Sequence, residues 1–142
     1  MGQEQRTVIR TVLDTNVLVS ALLFSGEIAN IVSSWKARKF LPVFSHDTFD
    51  EFRRVLAYPK FSLTPREIDA LLQDEVLTFC EVVDIEYDIT GICRDRSDDK
   101  FISCAVAATA DYIVSGDKDL LILGNFRNIP IITVASFQEK IA

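Results

Sequence analysis

The chain has 142 residues, 49% hydrophobic and 25% charged, a composition suited to a single globular domain over 1–142 whose core needs neither disulfides nor a structural metal. Fifteen Lys and Arg stand against 21 Asp and Glu, a net charge of −6. That balance excludes a protein that wraps a polyanion by bulk attraction, so any contact with nucleic acid must be local.

In chain order, the β-branched run Thr7–Leu13 predicts a strand that turns at Asp14-Thr15-Asn16 into an apolar helix over Val17–Leu23. A second helical pattern over Glu27–Arg38 places Ile28, Ile31, Val32 and Trp35 on one face, and Phe40–Phe44 reads as the second strand. Asp47 or Thr48 can open the next helix, with Phe49, Phe52, Val55 and Leu56 as its buried stripe and Pro59 as its stop. Thr64-Pro65-Arg66-Glu67 is a stronger start signal, a capping Thr with Pro at the first helical position and Glu following, ahead of Ile68, Leu71, Leu72, Val76 and Phe79. Val82–Ile85 predicts a short strand, Asp88–Arg96 a polar loop, and Ser97–Ala110 an alanine-rich helix capped by Ser97. Tyr112–Ser115 is a strand, Leu120–Leu123 a short apolar piece, Ile131–Val134 a last strand and Ala135–Ile141 a closing helix. This alternation predicts an α/β fold, a mostly parallel sheet with helices on both faces, because parallel neighbours need helical crossovers.

Several chemistries are excluded by residue count. Cys80, Cys93 and Cys104 lack the tight pairings of zinc or redox sites and read as reduced thiols of a cytoplasmic chain. The single histidine, His46, lies in Ser45-His46-Asp47, whose adjacent side chains diverge, so it reads as a turn residue rather than part of a triad. Five glycines form neither GxGxxG nor GxxxxGK[ST], so the backbone cradle for a nucleotide is missing. Val17–Phe24 is far shorter than the ~20 residues of a membrane span. Met1-Gly2 is followed by Arg6 where a myristoylation signal has Ser or Thr, and no secretory pattern follows.

In open α/β sheets the functional crevice lies beyond the carboxyl ends of the strands, and here the residues at those ends are acidic. Asp14 follows the first strand, Asp47 and Glu51 the second, and Asp117 and Asp119 follow Ser115-Gly116, while Asp98 and Asp99 open the helix before another strand. Carboxylates without histidine or thiolate make an all-oxygen site suited to Mg²⁺ or Mn²⁺, and such ions serve phosphate chemistry. Each acid also has a structural explanation: Asp14 can cap a helix, Glu51 can pair with Arg54 at i+3, Asp98 and Asp99 both suit a helix's first turn, and Asp117 and Asp119 a turn. Spacing does not choose between Asp98 and Asp99.

Taken together, VLDTNVLVSAL, TFDEFRRVLAYPKF and DRSDDKFISCAVAATADYIVSGDKDLL resemble the PIN-domain family of metal-dependent ribonucleases, which includes toxins of toxin–antitoxin pairs. The resemblance covers essentially the whole chain. It implies the PIN-like three-layer fold and cleavage of single-stranded RNA by a metal-activated water. It also implies four acids, Asp14, Glu51, Asp99 and Asp117, as catalytic metal ligands, with Asp119 as an auxiliary. Asp98, Thr15, Asn16 and Ser115 are placed to orient those carboxylates. Arg94, Arg96, Lys100 and Lys118 lie beside the acids in sequence and are the candidates for phosphate contacts. A cognate antitoxin and a homodimer are further implications of the resemblance, while the short apolar stretches and the lack of an anchoring signal predict no membrane partner. Two other readings fit parts of the pattern: an RNA-binding or interaction module of the same fold without catalysis, and an aspartyl-phosphate phosphohydrolase, although the latter expects a second acid where Asn16 stands.

Overall fold

The computed structural model describes residues 8–142. Thr7, where the first expected strand opens, and the Met1-to-Arg6 stretch read for lipidation or export lie outside the described residues.

Period-two alternation along the strands builds the layers. In β1 (Ile9–Leu13) Leu13 enters one apolar core and Val12 the opposite one. β2 (Phe40–Ser45) sends Phe40 and Phe44 to the first core and Val43 to the second, and β4 (Tyr112–Val114) divides Val114 and Ile113 the same way. With β3 (Glu81–Val83), β5 (Asn125–Phe126) and β6 (Ile129–Ile132) the sheet order is β3-β2-β1-β4-β6-β5. Every neighbouring pair is parallel except β5 with β6.

The first core is closed by α1 (Thr15–Leu23), α2 (Asn30–Lys36), α3 (His46–Leu56), α4 (Pro65–Ala70) and α7 (Val134–Ile141), which contribute Leu18, Trp35, Phe52, Leu56, Ile68 and Phe137. The second is closed by α5 (Asp99–Ala107) and α6 (Lys118–Leu123), with Ile102, Cys104, Ala105 and Leu120 fully buried. The expected α/β fold with helices on both faces of a mostly parallel sheet is therefore present. Among the described residues no single helix is long and apolar enough to cross a membrane, and the three cysteines are free thiols.

Local differences have local causes. The cap of α3 is Ser45, not Asp47 or Thr48: its hydroxyl accepts from Thr48 N–H at 3.1 Å while Thr48 Oγ1 accepts from Ser45 N–H at 2.9 Å. His46 is the first residue of that helix rather than a turn residue, and its exposed ring meets Asp84 at 3.1 Å. The helix expected over Glu27–Arg38 begins as a 3₁₀ turn, Glu27–Ala29. The one expected from Ser97 begins as another, Arg96–Asp98, and its cap is Asp95, which accepts from the Ser97 N–H and hydroxyl at 2.9 and 2.8 Å. Leu120–Leu123 belongs to α6, and the last strand begins two residues earlier than Ile131, making room for the antiparallel β5.

Candidate active site

The chain crosses from β1 to β2 on one side and returns to β4 on the other, so the carboxyl ends of β1 and β4 flank the switch point of the sheet. Asp14 sits there as the cap of α1. Its backbone N–H is held by Val114 C=O at 3.0 Å, its Oδ1 accepts from Val17 N–H at 2.9 Å, and its Oδ2 accepts from the Ser115 hydroxyl. Ser115 Oγ in turn accepts from Asp117 N–H at 2.9 Å. One buried hydroxyl thus ties the loop after β4 to the loop after β1.

Asp117 caps α6, its Oδ1 accepting from Asp119 N–H at 2.8 Å. Asp98 reaches the same cleft from the turn before α5. Asp14, Thr15, Asn16, Glu51, Asp98 and Asp117 line one cleft of about 300 Å³, rimmed by Arg54, Tyr58, Lys60 and Phe61. The expected acids Asp14, Glu51 and Asp117 therefore meet, and so do Thr15, Asn16 and the Asp14-bound Ser115.

The third acid of the cleft is Asp98. Asp99 is turned the other way, into the loop before it, where its carboxylate accepts from the N–H groups of Gly91, Ile92 and Cys93 at 2.8, 3.3 and 2.8 Å. These surroundings have opposite effects. Burial pushes the Asp99 carboxyl up, but the amides of Cys93, Gly91 and Ile92 outweigh it and hold it below the usual carboxylate range. Asp98 is pushed up to about 7, by burial first, then by the Asp117 charge and a hydrogen bond to Asp117 that requires a proton, and then by Asp95 and Asp14. Its Oδ2 is buried with no hydrogen-bond partner among the described residues. Asp14 is likewise raised, chiefly by burial and further by Asp117, against the opposing hydrogen bonds of Ser115, Val17 and Gly116.

Glu51 does not pair with Arg54. Its two oxygens are taken by the Thr15 hydroxyl and by the Lys100 ammonium, both half-buried or better. Lys100 is thus a counter-charge held on Glu51, and none of the four basic candidates is part of the cleft lining. Arg94 lies 3.8 Å from Asp119, which is outside that lining too; Arg96 borders a separate hollow with Asp99 and Asp47; and Lys118 is exposed at the start of α6. Tyr58, Lys60 and Phe61 were not singled out from sequence, and Arg54 only as a partner for Glu51, although an Arg at the end of a helix followed by Tyr-Pro-Lys-Phe is a readable mixture of cation and aromatic.

Among the described residues no three Asp, Glu, His or Cys side chains form a ready-made cation cage. The donor chemistry nonetheless fits a hard divalent cation: the donors around the cleft are oxygens, the Asp14 and Asp98 carboxyls are both raised by burial and by the Asp117 charge, and one buried Asp98 oxygen lacks a partner.

The PIN-domain family model matches residues 10–119. The chain belongs to the PIN-domain family. By sequence the chain is similar to the uncharacterized protein MJ1680 of Methanocaldococcus jannaschii, 28% identical over 130 residues, covering 87% of this chain and 80% of that one. Three solved structures share the fold. PAE2754 from Pyrobaculum aerophilum has a TM-score of 0.60 at 15% identity, over 94% of this chain and 89% of its own. FitAcB from Neisseria gonorrhoeae has 0.58 at 13%, over 86% and 96%. VapBC2 from Rickettsia felis, solved bound to a DNA fragment from its promoter, has 0.56 at 14%, over 88% and 98%.

Proposed function

We propose that this PIN domain is a divalent-metal-dependent endoribonuclease that cuts single-stranded RNA in the cleft between Asp14, Glu51, Asp98 and Asp117. The observation that carries the reading is the buried, unpartnered Asp98 oxygen beside Asp117 and Asp14. Two neighbouring carboxyls relieve each other only by sharing a proton, whereas a bound cation would relieve both while leaving them ionised. Asp14, Asp98 and Asp117 would hold Mg²⁺ or Mn²⁺, with Glu51 as a fourth acid and Asp119 outside the set. When bound, the ion would supply neutralisation of phosphate charge and acidification of an attacking water.

The chain's own groups do the positioning. Ser115 and the Val17 amide fix both oxygens of Asp14, which leaves its orientation little freedom. Thr15 and Lys100 hold Glu51, and Lys100 offsets one of the four negative charges that a phosphodiester would otherwise meet. Asp99 takes a different part from the one the family resemblance implied: it anchors the loop over Gly91–Cys93 and so holds the turn from which Asp98 enters the cleft.

An antitoxin-type protein partner, and a homodimer, are consistent with the resemblance to toxin-like members and with the fold shared with VapBC2 and FitAcB. The test is incubation of the purified chain with labelled single-stranded and duplex RNA in Mg²⁺, Mn²⁺ or EDTA, with mapping of the ends. Internal cuts in the single strand that need the metal and disappear in Asp98→Asn are expected. Equal cutting in EDTA, or parental cutting by Asp98→Asn, overturns the reading, and RNA binding without cleavage in either metal makes the chain a binding module.

A further inference from the structure

We propose that the rim formed by Arg54, Tyr58 and Lys60, continued by Phe61 and Phe24, is the seat of an unpaired RNA strand, stacking one base on Tyr58 and holding its phosphates with the two cations. The inference rests on the ribonuclease reading and names how that cleft holds its substrate. The acids create the need for it. A chain of net charge −6 with four carboxylates around one cleft repels a polyanion unless positive charge is presented at the same place.

Lys100 is neutralised by Glu51, and Arg94 lies near Asp119. Arg53 stands 3.9 Å from Asp69 and lies over the Phe49 ring. Its neighbour Arg54 would meet Glu51 one helical turn back, but Thr15 and Lys100 occupy both Glu51 oxygens, and among the described residues Arg54 has no carboxylate partner. Lys60 likewise has none and lies over the Phe61 ring, 5.2 Å from its centroid. Both cations line the acidic cleft.

Phe61 packs against the first core, and two rings beside it are open to solvent. Tyr58 is 49% exposed and Phe24 55%, and Phe24 meets Phe61 with ring centroids 6.4 Å apart, so the rim runs from the cleft out to the end of α1. Large exposed rings beside free cations suit unpaired bases, since each base offers a face to stack and each phosphate a charge to meet. The rim is also held in shape. Tyr58 N–H donates to Val55 C=O, Phe61 N–H to Tyr58 C=O and Ser62 N–H to Pro59 C=O at 3.0–3.1 Å, Pro59 opens the turn, and fully buried Leu56 pins it to the core. Little ordering is then left to occur on binding.

Binding of a fluorescein-labelled, non-self-complementary oligoribonucleotide is followed by anisotropy in EDTA over a salt series, so that neither metal nor cleavage enters. Tyr58→Ala should weaken binding about 10-fold with an unchanged salt slope, and Tyr58→Phe should bind like the parent. Arg54→Gln and Lys60→Gln should each flatten the plot of log K against log salt by about 0.7, because each removes one phosphate contact on a single strand. The same oligonucleotide in a duplex should bind more weakly and be insensitive to Tyr58. Failure of the parent to bind the single strand, or parental affinity and slope in Tyr58→Ala and Lys60→Gln, overturns the proposal. Rim-dependent binding by a chain that cuts no RNA would sink the nuclease reading and leave this one standing; metal-dependent cutting with rim-independent binding would do the reverse.

Discussion

Asp98 and Asp99 are chemically identical side chains on consecutive residues, both buried, and the difference between them comes entirely from what each faces. Asp99 meets three backbone N–H groups, which favour its charged form; Asp98 meets other carboxylates, which disfavour it. Neutral substitution should therefore separate them by two readouts. Asp99→Asn keeps one acceptor oxygen but turns an amide N–H₂ toward amide donors, leaving buried N–H groups unpaired at a cost of about 2 kcal/mol, and a lower melting temperature is expected. Asp98→Asn removes a charge that nothing in the metal-free fold satisfies and can donate to Asp117, so it should abolish metal-dependent cleavage while melting no lower than the parent in EDTA. Thermal melts beside cleavage assays check this; cleavage kept by Asp98→Asn and lost in an Asp99→Asn that is still folded would reverse the assignment of function, and an Asp99→Asn that melts like the parent would remove Asp99 as the anchor. The pair was not separable from sequence because both positions suit a helix's first turn. What separates them is the fold-back of the 88–96 loop, pinned by buried Ile89 and Cys93, which delivers its amides to Asp99 alone.

At the scale of elements, the central strands and their helices were readable because burial has the period of the element: β1, β2 and β4 alternate between two cores, and α3 buries Phe52 and Leu56 four residues apart. What was not readable depends on contacts from elsewhere in the chain. The pattern from Ile68 to Phe79 reads as one α-helix, yet α4 widens into π turns over Leu71–Leu77. Trp35 donates its indole N–H to Glu75 C=O at 2.9 Å and Thr78 its hydroxyl to Gln73 C=O at 2.8 Å, which occupies carbonyls that an α-helical ladder would use. Asp14 was legible both as a helix cap and as a site acid, and it is in fact a cap that also lines the cleft. β1 carries one local conflict. Thr11 is fully buried between β2 and β4, and its hydroxyl has no hydrogen-bond partner among the described residues. Val has the same shape and the same β-branch, so Thr11→Val should be neutral to stabilising by about 1 kcal/mol, a rise of roughly 2–4 °C in Tm for a chain of this size. A fall in Tm in a thermal melt would mean that the hydroxyl is satisfied in solution.

For the whole molecule, the acids of the cleft make stability depend on pH and metal together. Asp98, at about 7, and Asp14 both have folded-state values above the ordinary carboxylate value of 3.8. Between pH 4 and pH 7 the folded chain therefore holds more protons than the unfolded one, and stability falls as pH rises through that window. Asp99 and Asp95 are shifted down, so the stability they contribute is present above pH 4 and lost only below it. They do not oppose the trend at milder pH. In EDTA the parent should thus melt higher at pH 5 than at pH 8, and Asp98→Asn should flatten that slope and raise Tm at pH 8. A cation that binds the ionised carboxylates reverses the dependence, because protons and metal then compete for the same oxygens. Mn²⁺ should raise Tm more at pH 8 than at pH 5, with a gain that grows with metal concentration as binding to the folded state alone requires. In Asp98→Asn and Asp14→Asn the gain should shrink. Scattered acids serving only as helix caps predict another pattern: stability roughly constant from pH 8 to pH 5, no gain in Asp14→Asn because Asn caps a helix about as well as Asp, and the same Mn²⁺ response in parent and variants. Melts of the three proteins at two pH values, with EDTA and with Mn²⁺, distinguish these patterns without reference to RNA. A parent that is less stable at pH 5 than at pH 8 in EDTA, with equal metal shifts throughout, would remove the physical basis for a cation site between Asp14, Asp98 and Asp117.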